Sequence, residues 1–277
     1  ISQMTQAIQE AVQEHQYPNH KILSIYNKHI LPDHLTLKRD FEKMCPHTKC
    51  EQKFDESKSL TEVSKIAIKR ECDMVAYWET RRHKDLFLYL STVRGPTIKL
   101  HLMNIKTSKS LRFEGNFSLG TRPIIDFSAD FDGTEQMQVC KHLLKQAFAT
   151  PHHHYKSAPF IDHCFQFVVN DPHLKQFEFH AWTFDKDMAP TEVGPYFIAT
   201  PVTIYSGCMC GDEIWKNPRY LGAKEVRQIE HEKLEQKKGK VEEEKKWRQK
   251  RVEIMAIPED PVDAAFSAGT FQKVFTE

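Results

Sequence analysis

One short pattern occurs twice in this chain and limits what it can fold into. Gly95-Pro96-Thr97-Ile98-Lys99-Leu100-His101-Leu102 sets a Gly-Pro breaker before alternating residues, and so does Gly194-Pro195-Tyr196-Phe197-Ile198-Ala199-Thr200-Pro201-Val202-Thr203-Ile204-Tyr205. Each run reads as a turn feeding a strand. In the first, Ile98, Leu100 and Leu102 fall on one face and Lys99 and His101 on the other. In the second, alternation assigns Tyr196, Ile198, Val202 and Ile204 to one face. The two Gly-Pro pairs lie 99 residues apart, and such an echo points to a chain built twice.

The elements before each copy follow one order. Residues 1–16 read as a polar helical arm, broken at Tyr17-Pro18-Asn19. Lys21–Tyr26 is a strand. A helix follows from Pro32-Asp33, with Leu37, Phe41, Met44 and Cys45 on one stripe, and Pro46 ends it. Ser59 with Glu62 forms a capping box for a second helix that turns Val63, Ile66 and Ala67 inward. Met74–Trp78 is a strand, and Asp85–Leu90 a short helix or strand. In the second half, Arg122–Phe127 is a strand, and Asp132 with Glu135 caps a helix carrying Met137, Cys140, Leu144, Ala147 and Phe148. Pro159–Val169 and Gln176–Phe184 alternate as strands. From Ile22 to Gly95 is 73 residues and from Ile124 to Gly194 is 70. The fold expected is α/β, two pseudo-equivalent halves with a C-terminal helical extension. The expected divisions are an arm over 1–20, halves over 21–106 and 107–222, and a charged helix and tail over 223–277.

Net charge is only +1, but it is unevenly spread. Residues 21–106 hold 17 Lys/Arg and 11 Asp/Glu; residues 121–207 hold 6 and 10. The basic half suits a phosphate backbone and the acidic half a protein partner. Residues 223–253 hold 11 Lys/Arg and 8 Asp/Glu and read as a long solvated helix that projects from the body, weakened at Gly239. No apolar run approaches the roughly 18 to 20 residues of a membrane span. Seven Cys without framework spacing favour a reducing compartment. A chain that starts at Ile1 says nothing of what precedes it.

The RNA-binding candidates are Lys38, Arg39, Arg81, Arg82, Lys84, Arg94 and Lys99, which flank turns and strand ends, with Arg122 and Lys156 in the second half. Any one of them is also explained as a solvated surface charge. Tyr77, Trp78 and Tyr89 could stack bases, though core packing explains them as well. Metal readings are weaker. His152-His153-His154 with His163-Cys164, or Cys45 and Cys50 with Cys208 and Cys210, have ligand chemistry but no zinc spacing. His163 and Cys164 point to opposite strand faces, so no nucleophile–base pair forms there. No phosphate-loop or dinucleotide pattern occurs. No cofactor, metal or catalytic residue is assigned.

Several stretches together resemble the Brix-domain family of ribosome-biogenesis factors, over about Lys21 to Tyr220. The most specific is Ser157-Ala158-Pro159-Phe160-Ile161-Asp162-His163-Cys164-Phe165, followed by Gly115-Asn116, Gly120-Thr121-Arg122-Pro123, Glu192-Val193-Gly194-Pro195 and Asn217-Pro218-Arg219-Tyr220. Asp260–Phe266 is similar to a tail segment of the subgroup that gives the family its name. Asn27-Lys28-His29 departs from the usual Ser-Arg-Gly-type turn, and Gly207-Cys208-Met209-Cys210-Gly211 stands where a glycine-rich end is usual. The resemblance implies halves like the anticodon-binding domain of certain tRNA synthetases. It gives Gly95, Pro96, Pro159, Phe160, Asp162, His163, Gly194 and Pro195 motif or structural roles. It also implies a nucleolar, non-catalytic factor of large-subunit maturation. Its partners would be pre-rRNA, ribosomal proteins and assembly factors, including a helical one of the EBNA-binding-protein type. The competing reading is a protein-only scaffold that binds peptides and never touches RNA.

Overall fold

The computed structural model describes residues 20–55, 59–109, 120–151, 154–158, 160–184 and 190–255. Pro159, the leading arm to Asn19, Gly115-Asn116, His152-His153 and the Asp260–Phe266 segment lie outside the described residues. Strand β1 (Ile22–Asn27) feeds helix α1 (Pro32–Met44), with Pro32 in its first turn and Asp33 and Lys43 suiting the helix dipole. Strand β2 (Thr48–Phe54), helix α2 (Thr61–Lys69), and strands β3 (Met74–Arg81), β4 (Asp85–Thr92) and β5 (Thr97–Lys106) complete the first half. The second half holds β6 (Arg122–Phe127), a 3₁₀ turn over Ala129–Asp132, and helix α3 (Glu135–Phe148). It continues through β7 (Ile161–Asp171), β8 (Gln176–Phe184), β9 (Pro190–Glu192), β10 (Tyr196–Tyr205) and β11 (Glu213–Lys216). Helix α4 (Ala223–Met255) belongs to a second compact unit, Leu221–Glu277, apart from the first, Ile1–Tyr220.

The strands of the first unit form one sheet, ordered β2-β1-β3-β4-β5-β10-β8-β7-β6, with β11 on β10 and β9 on β8. The halves mirror each other. β1 pairs β3 in parallel as β6 pairs β7; the β3-β4-β5 meander matches β7-β8-β10; and β5 meets β10 antiparallel in the middle. The two Gly-Pro strands therefore hold equivalent places. Both Gly-Pro bonds are cis, and Gly95 and Gly194 both have positive φ. At Gly95 a Cβ would sit 2.1 Å from the Ser206 carbonyl oxygen, so only glycine fits.

One sheet face carries α1 and α3. Leu37, Phe41 and Met44 from the first, and Met137, Cys140, Leu144, Ala147 and Phe148 from the second, share one buried cluster with inward strand residues of both halves. Phe148 is its hinge point, 5.3 Å from Phe41 and 5.2 Å from Phe179 between ring centroids. Such aromatic pairs add roughly 0.5–1.5 kcal/mol each beyond area burial. The opposite face of the first half is covered by α2, through Val63 and Ala67 on Leu23, Ile25, Val75 and Tyr77.

Several expectations need correction. Asp85–Thr92 is a strand. The Ser59–Glu62 capping box does not form: α2 begins after Leu60 with no side-chain cap, and Ser59 Oγ instead accepts from Thr61 Oγ1 at 2.9 Å. Thr134, not Asp132, precedes α3, and Asp132 instead accepts from Lys141 Nζ at 2.7 Å. Tyr196, Ile198, Val202 and Ile204 do not share a face. A register shift between Pro201 and Thr203 puts Ile204 with Phe197 and Ala199 in the helix-covered core, while Val202 joins the cluster on the other side. Strand β2 went unforeseen: it is a polar edge strand held only by β1.

Candidate nucleic-acid interface

The carboxyl ends of the parallel strands β1 and β3 lie side by side, with Tyr26 opposite Trp78. Two buried polar groups lock them there. Asn27 Nδ2 donates to the Thr80 carbonyl at 2.9 Å, and the Thr80 amide donates to Asn27 Oδ1 at 3.1 Å. His34, at the start of α1, sits 2.9 Å from Thr80 Oγ1 through Nδ1. Burial lowers its pKa, against the raising effect of Asp33 and Asp85, which favours the neutral ring. The β1–α1 loop and the β3–β4 turn are thus held together, and the His29 and His83 rings lie 6.3 Å apart.

The β3–β4 turn itself is unusual. Arg82 (φ 52°) and His83 (φ 54°) are both left-handed, and the Lys84 amide donates to the Arg81 carbonyl at 3.1 Å. This is a two-residue hairpin turn of the type that strongly prefers Asn-Gly. Arginine and histidine there store strain, and strained backbone clusters at functional sites. Lys28, Arg82, His83 and Lys84 are all exposed. Asp33, also exposed, is the acid nearest this group in sequence. Glu79 is occupied by Arg81 Nε and Tyr89, both at 2.8 Å, and Asp85 faces His101 at 3.9 Å. The corresponding connections of the second half carry Asp130, Asp132 and Asp171 instead, with Lys175 tied to Gln136 at 2.7 Å.

The predicted cations do not form one patch. Arg81, Arg82 and Lys84 sit at one end of the β3–β4 hairpin and exposed Arg94 at the other, about 25 Å away for a strand of this length. Arg39 is exposed on α1 and Lys156 is exposed beside the Tyr155 ring, while Arg122 is half-buried. Lys38 is not available to a phosphate. It is 1% exposed, pairs with Glu42, and lies 3.2 Å from Cys50 Sγ and 4.9 Å from the Tyr26 ring. Lys99 is buried too, its amine 4.6 Å from the Phe87 ring and 5.2 Å from Tyr89. Burial, then Arg81, pushes its pKa down to about 8. Alternation placed Lys99 opposite Ile98 and Leu100 correctly, but that face is covered. Lys28 was the cation missed. Its signal was the departure from the usual turn after β1, a lysine at a strand's carboxyl end.

The other motif residues are structural. Asp162 bonds both Thr121 Oγ1 and, at 2.6 Å, His163 Nδ1, fastening the start of β7 to the segment before β6. Burial lowers the His163 pKa against the raising effect of Asp162. Phe160 is exposed. Asn217 Nδ2 donates to Pro201 and Leu174 carbonyls, each at 2.9 Å, and Tyr220 OH meets His101 Nδ1 at 3.2 Å. Tyr77 and Tyr89 pack in the core beside Phe54 and Phe87, and Trp78 packs against Phe41. Among the described residues no group of three His, Cys, Asp or Glu is placed to hold a metal. No described helix is long and apolar enough to cross a membrane.

A family model described as the Brix domain matches residues 28–254. "Ribosome biogenesis protein BRX1 homolog" of Caenorhabditis elegans is 36% identical over 198 residues, which is 71% of this chain and 56% of that protein. "Ribosome biogenesis protein BRX1" of Saccharomyces cerevisiae is 34% identical over 221 residues, 76% of each chain. The Homo sapiens "Ribosome biogenesis protein BRX1 homolog" is 31% identical over 235 residues, 83% of this chain and 65% of its own. The chain thus spans little more than half the length of the nematode relative. The match runs from the β1–α1 loop, through two like halves that meet at β5 and β10, into α4; the chain belongs to the Brix-domain family.

Proposed function

We propose that this chain is a non-catalytic ribosome biogenesis factor of the nucleolus, holding pre-rRNA of the large subunit and a protein partner during assembly. The relatives' names support the biogenesis role. One observation carries the RNA part: Lys28, Arg82, His83 and Lys84 gather, exposed, on a locked pair of connections whose second-half counterparts are acidic. Fixed cations at a strained turn meet phosphates with little ordering cost, and they read charge rather than sequence. Helix α4 adds a second basic surface. At 3.6 residues per turn, Lys233, Lys237, Lys240, Arg248 and Arg251 fall within about 80° of one another, with Glu244 among them. Glu225, Glu232, Glu235, Glu242 and Glu243 fall on the opposite side, with Lys246 and Lys250. A charge-sorted helix about 50 Å long suits a run of phosphates.

The test is binding of the purified chain to a single-stranded rRNA fragment, by fluorescence anisotropy, across a salt series. Affinity should fall linearly in log–log, by about 0.7 per phosphate contacted. Lys28→Glu/Arg82→Glu/Lys84→Glu should flatten that slope by about two contacts. Lys141→Glu/Lys145→Glu, on the acidic half, should leave it unchanged. Equal losses from both variants would overturn the assignment. No measurable RNA binding would favour the protein-only scaffold.

A further inference from the structure

The pseudo-equivalent halves differ in one large respect. In the first, the β2–α2 segment pairs with the outer edge of β1 and lays a helix across the sheet face opposite α1. That cover leaves Leu23, Ile25, Val75 and Tyr77 at most 2% exposed. The second half has no counterpart. Strand β6 ends the sheet, its chain passes from α3 to β7 without another described helix or strand, and the matching face stays open. Register sets three rows across it: Ile124, Cys164 and Trp182; Asp126, Gln166 and His180; Val168, Glu178 and Ile198. Ile124 is 48% exposed and Val168 36%. Within Ile1–Tyr220 no described helix packs on these rows.

The open face is ordered and acidic. Trp182 Nε1 donates to Gln166 at 3.1 Å, and Gln166 Nε2 donates to Asp126 at 3.1 Å. His180 lies 2.9 Å from Glu192 and stacks between Trp182 and Tyr196. Glu178 accepts from Asn170 at 2.8 Å. Three carboxylates, Asp126, Glu178 and Glu192, thus lie among apolar and aromatic groups, with Lys106 against Tyr196 at the margin. An acidic floor repels a phosphate chain, whereas apolar rows flanked by carboxylates suit an amphipathic helix edged with Lys or Arg.

We propose that this face is the docking site of a basic amphipathic helix from a partner protein, lying where α2 lies in the first half. The inference rests on the assembly-factor reading for its partner half and specifies the surface. Asp126 and Glu178 supply the charge selection, and Ile124, Val168, Trp182 and Ile198 the apolar contact.

Two arms test it with the full chain. In the first, two synthetic 20-residue amphipathic helices share one leucine pattern and carry either Lys or Glu on the polar side. Binding is read by anisotropy and mapped by hydrogen exchange. The lysine peptide should bind at least about ten-fold tighter and protect β6, β7 and β8. Asp126→Lys/Glu178→Lys should remove that preference with an unchanged melting temperature, and Asp130→Lys/Asp132→Lys should not. Equal binding of both peptides, no binding, or protection elsewhere overturns the proposal. In the second arm, benzoylphenylalanine replaces Val168 in native pre-ribosomal particles. An adduct whose mass spectrum maps to a basic helical segment of one protein supports the proposal, and an adduct with rRNA overturns it. Co-sedimentation with the particles tests the assembly reading by itself, so a chain that co-sediments without a protein adduct loses only the docking face.

Discussion

If the β3–β4 turn keeps Arg82 and His83 in left-handed conformations for the sake of a ligand, replacing them should make the protein more stable and a worse RNA binder. The perturbation is Arg82→Asn/His83→Gly, the dipeptide such hairpin turns prefer. At φ 52° and 54°, each non-glycine residue costs about 1 kcal/mol or more. Asparagine relieves part of that cost. Glycine relieves the rest but gives back roughly 0.5–1 kcal/mol in unfolded-chain entropy. The net gain is about 1 kcal/mol, a rise of about 2–4 °C in Tm for a unit of this size. Neither exposed side chain appears in a described ion pair, so little else is lost. Removing one cation should lower RNA affinity and shrink the log–log salt slope by about one contact of roughly 0.7. Thermal melts by circular dichroism and the salt series, run on the same preparation, check both halves. A variant that melts lower, or one that melts higher and binds RNA as tightly as before, refutes the reasoning. The first outcome would mean the turn is not strained, and the second that its strain serves no RNA contact.

Gly95→Val should destabilise the first unit by about 3 kcal/mol or more, since it adds a β-branched residue at φ +88° with its Cβ 2.1 Å from the Ser206 carbonyl; a melting temperature within 2 °C of the parent, on the order of one-half to one kcal/mol, would count against it. Lys99 offers a pH test. Its pKa of about 8 in the fold lies below the model 10.5, so the unfolded chain binds the proton more tightly and stability rises with pH across that window. Lys99→Met should raise the melting temperature at pH 7 and flatten its rise between about pH 8 and 10; an unchanged pH profile would sink that account.

Much of the fold follows from period-two alternation and from the echo of Gly-Pro strands. Ile98, Leu100 and Leu102 against Lys99 and His101 could be read without coordinates, as could Phe165 and Phe167. The near-equal intervals of 73 and 70 residues also pointed to two halves, but they hid the main difference between them. From β1 to β3 is 52 residues and from β6 to β7 only 39, while β3 to β5 is 23 and β7 to β10 is 35. The β2–α2 insert in one half is offset by longer strands and β9 in the other, so the totals match while the architecture does not. Lys38 misled because a lysine next to Leu37 reads as surface; only the packing of α1 beside β2 shows it turned inward, against Glu42 and Tyr26. The Arg82-His83 turn misled in the other direction. Its charge was visible, but its left-handed backbone was not, because those residues rarely adopt it.

The division of labour follows from that hidden difference. A duplicated sheet has two equivalent faces to cover, and here only one is covered by the chain itself. Helix α2 closes the first half, and that half is then left with its strand-end connections, where Lys28, Arg82 and Lys84 project. The second half keeps acidic connections and an open face instead. These two surfaces are not on separable modules. Phe41 from one half meets Phe148 from the other, and β5 pairs with β10 along most of their length, so both halves draw on one core. A factor built this way can meet RNA with one half and protein with the other while holding a fixed geometry between them. Loosening the β5–β10 seam should therefore impair both interactions together, whereas changes confined to either surface should impair only one.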